Sequence, residues 1–184
     1  MSDTQWPRFE LFLQDKDGRP HYNIGTVHAA DAEMALLNGR DVYVRRPDCL
    51  SLWAAPSDAI YAKTAEELAA DDSWREETPP AGAPEREWYV FQKQSQRRAM
   101  TYVAHTGAVR ARSAAEALQK AIAQYDDPET PTWVWWVCPA GVIARSRRED
   151  VDSMFAPARR KPYKHPQDYR TVTAMRKIKA GEKE

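Results

Sequence analysis

Alternating apolar and polar positions near the start of the chain predict two strands, a helix and a third strand. FELFLQ (9–14) and HYNIGTVHA (21–29) have the pattern of strands, and the polar turn residues between them predict a hairpin. Asp31 is placed to cap a helix whose small and apolar residues recur at the spacing of one helical face. LSLWAAP (50–56) follows as a third strand. The pattern therefore predicts a ββαβ unit.

The same order of elements recurs in the second half of the chain. WYVFQK (88–93) and AMTYVAHTGAVRA (99–111) are typical of strands, and TWVWWVCP (132–139) is typical of a closing strand. Between them, Ser113 and Glu116 have the spacing of a capping box that begins a helix. The second half therefore predicts another ββαβ unit.

Identical residues support a tandem duplication of this unit. Four pairs share one constant offset: Gly25 and Gly107, Val27 and Val109, Leu36 and Leu118, Tyr43 and Tyr125. Two more pairs follow after a slip of one residue: Trp53 and Trp136, Pro56 and Pro139. Because periodicity and identities agree across strand, helix and strand, we predict that the chain contains two copies of one unit.

The remaining segments predict a linker and a tail. Residues 63–86 are acidic at their start and rich in Pro and Gly at their end, which indicates a linker with one helical turn. Residues 146–184 are rich in Arg, Lys and Pro without a sustained period, so we expect an extended C-terminal arm that docks through its aromatic residues. The predicted units are then 6–62 and 87–145.

Composition narrows the class of protein. The 184 residues carry a formal net charge of +0, which provides no field to attract nucleic acid or an anionic membrane. No apolar run approaches the roughly 20 residues of a membrane-spanning helix, and the first residues lack the pattern of a signal peptide. Two cysteines do not provide a disulfide framework. We therefore expect a soluble, cytoplasmic protein.

Motifs of catalysis or metal binding are missing from the sequence. The four histidines lack metal-ligand spacing, and no nucleophile elbow or phosphate-binding loop is present. Cys49 and Cys138 occupy similar points in the two copies, where small buried residues are expected. Clusters of Arg and Lys suit pairing with carboxylates of a protein partner better than nucleic acid. We therefore predict no catalytic, cofactor-binding or metal-binding residues and no cofactor.

The first copy and the tail resemble a known family. WPRFELFLQDKDG, GTVHAADAEMALLNGRDVYVRR and SLWAAPSDAI, all within 6–60, are similar to the PaaB family, a component of the ring-1,2-phenylacetyl-CoA epoxidase. MFAPARRKPYKHPQDYR (154–170) resembles the closing segment of that family, which ordinarily follows a single copy. The second copy resembles the family through its pattern alone.

The resemblance implies a role in aerobic phenylacetate catabolism. It implies a multicomponent oxygenase that epoxidises the ring of a coenzyme A thioester, with a di-iron centre in a catalytic subunit and a flavin and iron–sulfur reductase. The PaaB component of that complex is a small, non-catalytic protein that joins the catalytic subunit to its structural partner, with the reductase as a further partner. The family resemblance also implies an α+β fold of β-grasp-like (ubiquitin-like) units.

Differences between the copies indicate where partners bind. The second copy has Arg110 in place of His28, and Asp126-Asp127 in place of Arg45-Arg46. We therefore expect a tandem chain that forms an intramolecular pseudo-dimer and frees each half to specialise. The expected partner-binding residues are His28, Arg45, Arg46, Trp53, Phe155, Tyr163, His165 and Tyr169.

Two other functions are compatible with the sequence. One is a small enzyme of aromatic-acid catabolism that uses His28 or Cys49, and the other is a ubiquitin-like adaptor unrelated to oxygenases. Bound metal or turnover by the isolated chain would favour the enzyme, whereas co-purification with a di-iron subunit would favour the assembly subunit.

Overall fold

The computed structural model describes residues 6–44, 49–95, 103–160 and 171–181, and the fold is α+β with an antiparallel sheet. Within these residues no helix has the length and apolar character needed to span a lipid bilayer. The helices and strands follow in this order: β1 (Arg8–Gln14), β2 (Tyr22–His28), α1 (Ala32–Tyr43), β3 (Ser51–Pro56), β4 (Tyr61–Thr64), α2 (Ala65–Ala70), β5 (Arg86–Lys93), β6 (Ala104–Ala111), α3 (Ala114–Tyr125), β7 (Val134–Pro139), β8 (Ala144–Arg145), α4 (Val151–Arg160) and α5 (Thr171–Lys179).

Both predicted ββαβ units are present. β1 pairs antiparallel with β2 and β3, and β5 pairs antiparallel with β6 and β7. The side chain of Asp31 accepts a hydrogen bond from the Met34 amide at 2.8 Å, and Ser113 accepts one from the Glu116 amide at 3.2 Å, so both helix starts are capped as predicted. Glu116 bonds the Arg112 amide rather than closing the expected box on Ser113.

Alternating burial along the strands produces three layers of core. One face of the first half packs against α1 through Leu11 and Leu52, and one face of the second half packs against α3 through Val90 and Val137. The residues of opposite alternation, such as Phe12 of β1, form a third cluster that joins the two halves. The two half-sheets therefore face each other, with one helix on each outer side.

An approximate twofold axis relates the halves. Tyr22 of β2 pairs with Ala104 of β6, and these residues differ by the offset that relates the two copies. The side chains of Phe12 and Phe91, which occupy equivalent positions of β1 and β5, stack with ring centroids 4.4 Å apart. Each equivalent pair thus meets its own counterpart, as residues on the axis of a homodimer do.

The halves exchange their edge strands. The sheet has the order β4-β7-β5-β6-β2-β1-β3-β8, so β4, which follows the first unit, pairs with β7 of the second. In return β8, which follows the second unit, pairs with β3 of the first. A short 3₁₀ turn precedes each exchanged strand, at Ser57–Ala59 and Ala140–Val142. The exchange ties the halves together through backbone hydrogen bonds as well as the core.

The segments after the exchanged strands also cross over. The predicted linker contains α2, which begins with a complete capping box of Thr64 and Glu67, and it buries Trp74 in the core beside α3. The expected extended arm is a wrong prediction, because the described parts of it form α4 and α5. In α4, Val151, Met154 and Phe155 recur at helical spacing and pack in the core beside α1.

A glycine and a tyrosine fix each helix against its hairpin. The Tyr43 hydroxyl donates to the Thr26 carbonyl at 2.9 Å and accepts from the Thr26 amide at 3.1 Å, and Tyr125 makes the equivalent pair of bonds. A Cβ at Gly25 or Gly107 would overlap the neighbouring tyrosine ring. The identities found in the sequence therefore mark a contact that both copies need.

Candidate partner-binding surfaces

The predicted partner-binding residues divide into two groups. Five lie outside the described residues: Arg45, Arg46, Tyr163, His165 and Tyr169. The other three, His28, Trp53 and Phe155, lie at three separate places and not in one site.

His28 is at the surface, at the end of β2. Its Nδ1 is 2.7 Å from the carbonyl oxygen of Trp6, and because a carbonyl only accepts, Nδ1–H is the donor in the neutral ring. The other ring nitrogen, Nε2, is then an acceptor for a hydrogen bond from outside. The Trp6 residue is 56% exposed beside it. This corner of the first unit combines an exposed aromatic ring with a polar acceptor, a combination found in protein interfaces.

Trp53 lies between the halves instead of at the outer surface. Its ring stacks on His21 with centroids 3.5 Å apart, and the Arg145 guanidinium lies 5.4 Å from its centroid. His105 and Tyr89 of the second unit complete the cluster. Trp53 therefore stabilises contact between the halves, and its side chain is buried within this chain.

Burial keeps the two histidines of this cluster neutral. Desolvation, followed by the charges of His105 and Arg145, lowers the pKa of His21 to about 4. Burial likewise lowers the pKa of His105 to about 4, with Arg145 acting in the same direction. The Nε2 atoms of both rings lack a hydrogen-bond partner among the described residues. We assign the cluster to packing between the halves, with neutral rings at pH 7.

The equivalent place across the axis has different chemistry. Glu10 and Asn23 occupy the positions equivalent to Tyr89 and His105, and Asn23 Nδ2 donates to Glu10 Oε2 at 3.1 Å. Burial raises the pKa of Glu10, against the lowering effect of the Asn23 bond, the Arg8 charge and the Ser57 bond. The two sides of the axis have therefore diverged while the backbone has kept its symmetry.

Phe155 belongs to the core of the first unit. Its side chain is fully buried against the cluster beneath α1. The arm therefore docks on its own chain at this point, and in this structure the Phe155 ring has no surface to offer a partner.

Reactive chemistry is not supported at the cysteines. Cys49 and Cys138 are both buried, and burial raises the pKa of each thiol to about 12. A thiol at such a pKa is protonated at pH 7 and is a poor nucleophile. This argues against an enzyme that uses Cys49. In the described part of the chain, no group of three or more His, Cys, Asp or Glu residues is arranged to hold a metal.

Sequence analysis missed two exposed apolar surfaces. On the first unit, Leu37 and Val42 of α1 are 43% and 47% exposed. On α5 the exposed apolar residues recur every third position, and they are Val172, Met175 and Ile178. The helical spacing of α5 was readable in the sequence, but its surrounding charges hid it. Leu37 and Val42 become informative only when they are compared with their equivalents in the second copy.

Comparisons with known proteins agree with the duplicated architecture. The sequence profile of the family described as "PaaB: Phenylacetic acid degradation B" matches residues 5–77 and again 86–176. The chain is 43% identical over 67 residues to a protein of Escherichia coli (strain K12) named as the B-type subunit of 1,2-phenylacetyl-CoA epoxidase, covering 36% of this chain and 70% of the relative. No solved structure matches the chain. The chain therefore belongs to the PaaB family and contains its domain twice in tandem.

Proposed function

We propose that this chain is a non-catalytic subunit of a multicomponent di-iron oxygenase of aerobic phenylacetate catabolism, active in the cytoplasm. Its role is to join the catalytic subunit to a structural partner subunit, with the reductase as a further partner. The observation that carries the proposal is the membership in the PaaB family over both halves, together with a relative that is named as a subunit of an epoxidase.

The surfaces of the chain support a bridging role. A bridge needs at least two separate contact regions, and the described residues provide exposed apolar side chains on α1 and again on α5. Every described side chain of α5 is exposed, and an isolated helix of this length is only marginally stable in water. Helices of this kind gain stability when their apolar stripe enters a groove of a partner.

The duplication supports a one-chain equivalent of a dimer. The stacked Phe12 and Phe91 rings and the exchanged edge strands are contacts that two separate copies could make between themselves. Linking them gives each half an effective concentration of about millimolar or more toward the other. We infer that one such chain takes the place of two copies of an ordinary family member.

The finer β-grasp assignment receives divided support. The ββαβ order of each unit agrees with it. The antiparallel pairing of β3 with β1 differs from the parallel pairing of first and last strands expected of a ubiquitin-like roll. We propose the broader α+β unit, with exchanged edges, as the assembly module.

Co-expression tests the proposed function directly. The full chain, with an affinity tag, would be expressed with the catalytic and structural epoxidase subunits encoded by the same genome. We expect the subunits to co-purify in a fixed ratio, and we expect epoxidation of phenylacetyl-CoA only when the catalytic subunit and reductase are present. Failure of every subunit to bind, or product formation by the isolated chain, would overturn the proposal.

A further inference from the structure

The duplication offers an internal control for the exterior of the molecule. One patch of the first unit is formed by Trp6, His28, Leu37 and Val42, and we name it the first-unit face. The register of the strands and helices gives each residue an equivalent in the second unit, and these are Glu85, Arg110, Gln119 and Gln124. The four residues of the first-unit face are uncharged at neutral histidine, whereas their four equivalents are all polar or charged.

The equivalent patch of the second unit is satisfied by its own chain and by water. Arg110 forms an exposed ion pair with Glu85 at 3.3 Å. The Gln119 side chain donates to the carbonyl oxygen of Arg75 at 2.7 Å, and Lys120 Nζ donates to the Arg110 carbonyl at 2.7 Å. This surface has the chemistry of a solvated exterior.

The first-unit face is connected and apolar. Trp6 contacts His28 through its carbonyl, and the Asn38 side chain donates to the His28 carbonyl at 3.1 Å. Asn38 follows Leu37 directly and lies one helical turn before Val42, so the exposed apolar side chains border this connection. Trp and neighbouring aliphatic residues with a polar acceptor are typical of the centre of a protein interface.

Charges around the face indicate what covers it. Along α1, the exposed carboxylates Glu33 and Asp41 lie one turn before and one turn after Leu37, and Asp41 pairs with Arg40 at 3.0 Å. The second unit has Ala115 and Ala123 at the equivalent positions. The acidic rim therefore exists only where the apolar side chains are exposed. Its complement is an apolar pocket flanked by Arg or Lys.

We propose that the first-unit face docks a different protein subunit, through an apolar pocket with a basic rim and a hydrogen-bond donor for His28 Nε2. The second unit does not take part in this contact. The inference rests on the proposed bridging function and adds to it which copy faces this partner and through which residues. Each chain then binds one such subunit, although it contains two copies of the domain.

Exchanging residues between the copies tests the proposal within the full chain. The variant His28→Arg/Leu37→Gln/Val42→Gln gives the first unit the residues of the second. The matched control, Arg110→Ala/Gln124→Ala, alters the equivalent patch of the second unit. The affinity of each variant for the purified catalytic subunit and for the purified structural subunit would be measured by titration calorimetry, with thermal melting as the check of folding.

We expect the first variant to lose at least about tenfold in affinity for one of the two subunits, with an unchanged melting temperature, and the control to bind like the wild type. Wild-type affinity in the first variant, or an equal loss in the control, would overturn this inference and leave the bridging function standing. Binding of the wild-type chain to neither subunit would defeat the bridging function itself. Self-association of the chain that the first variant abolishes would identify a second copy as the occupant and overturn the proposal.

Discussion

The two sides of the internal axis share a backbone but differ in side chains. At the axis, Phe12 and Phe91 are the same residue and stack on each other. On one flank Glu10 bonds Asn23, while on the other Tyr89 and His105 pack with Trp53. In a homodimer one substitution changes both flanks at once, so such a difference cannot arise. The duplication therefore removes a constraint on the interior that symmetry imposes.

The exterior differs in the same manner. The first-unit face exposes Trp6 and Leu37, whereas the second unit has Glu85 and Gln119 at the equivalent positions. The residues that hold each unit together, such as Tyr43 and Tyr125, are identical in the two copies. Contacts needed by both halves have therefore kept their residues, and positions free of that need have diverged.

Breaking the shared centre should destabilise the chain more than any other change considered. Phe12→Ala and Phe91→Ala each remove a fully buried ring, and we expect each to lower the free energy of unfolding by about 3–5 kcal/mol. Because the rings contact each other, the double variant should cost less than the sum of the single ones. Urea unfolding of the three variants measures this. Additive losses would show that the halves do not meet through these rings.

The two glycines beside the tyrosines should respond unequally. Gly25→Ala and Gly107→Ala both overlap a tyrosine ring, for which overpacking costs about 1–3 kcal/mol. Gly25 also has a φ of +132°, where side chains are rarely tolerated, so its variant should be the more destabilised of the two. Gly141→Ala is the control, because its Cβ would meet nothing within 4 Å. Equal losses at all three sites in thermal melting would contradict this geometry.

The tyrosines themselves should respond equally. Tyr43→Phe and Tyr125→Phe each remove a hydroxyl that makes two backbone hydrogen bonds, so we expect each to cost about 1 kcal/mol. Urea unfolding of the two single variants measures the two contributions separately. A loss confined to one copy would show that the units are not equivalent at this contact.

The two flanks should respond to pH in opposite directions. Burial lowers the pKa of His21 and His105 to about 4 from 6.5, so between these values the unfolded chain binds more protons than the folded one. Stability from this flank is therefore complete above pH 6.5 and is lost as the pH falls toward 4. Burial raises the pKa of Glu10 above 4.5, so the folded chain binds more protons there, and that flank gains stability as the pH falls through the raised value.

The net pH dependence should be the weakest of these effects, because the flanks oppose each other over part of the range. Urea unfolding between pH 6.5 and 4 should show a flatter loss for His105→Asn, which copies Asn23, and a steeper loss for Glu10→Gln. Identical pH profiles for the wild type and both variants would show that neither flank titrates on folding.

Much of the fold could be predicted from local pattern. The strands, the capped helices and the repeat all follow from alternation, helical spacing and the N-cap residues. The exchange of β4 and β8 could not be predicted, since the residues of a short edge strand do not specify which of two equivalent sheets they join. The helices of the arm were missed because few apolar positions, among them Met154 and Phe155, stand among many charges and prolines.

The candidate surface was only partly predictable. His28 was singled out because its equivalent is Arg110, and the same comparison extended to Leu37 and Gln119 finds the rest of the face. Exposure decided the other residues. Trp53 and Phe155 have the residue types of an interface, but both are buried within this chain, and a pattern of residues cannot separate an internal from an external contact.

Native mass spectrometry of the chain, alone and co-expressed with the catalytic and structural subunits, decides whether one chain replaces two copies of an ordinary family member. We expect the chain alone to have the mass of a single copy, 21.1 kDa, and the assembly to contain one copy of it together with both other subunits. Two copies of this chain paired with each other, or a chain that never enters the assembly, would contradict the account.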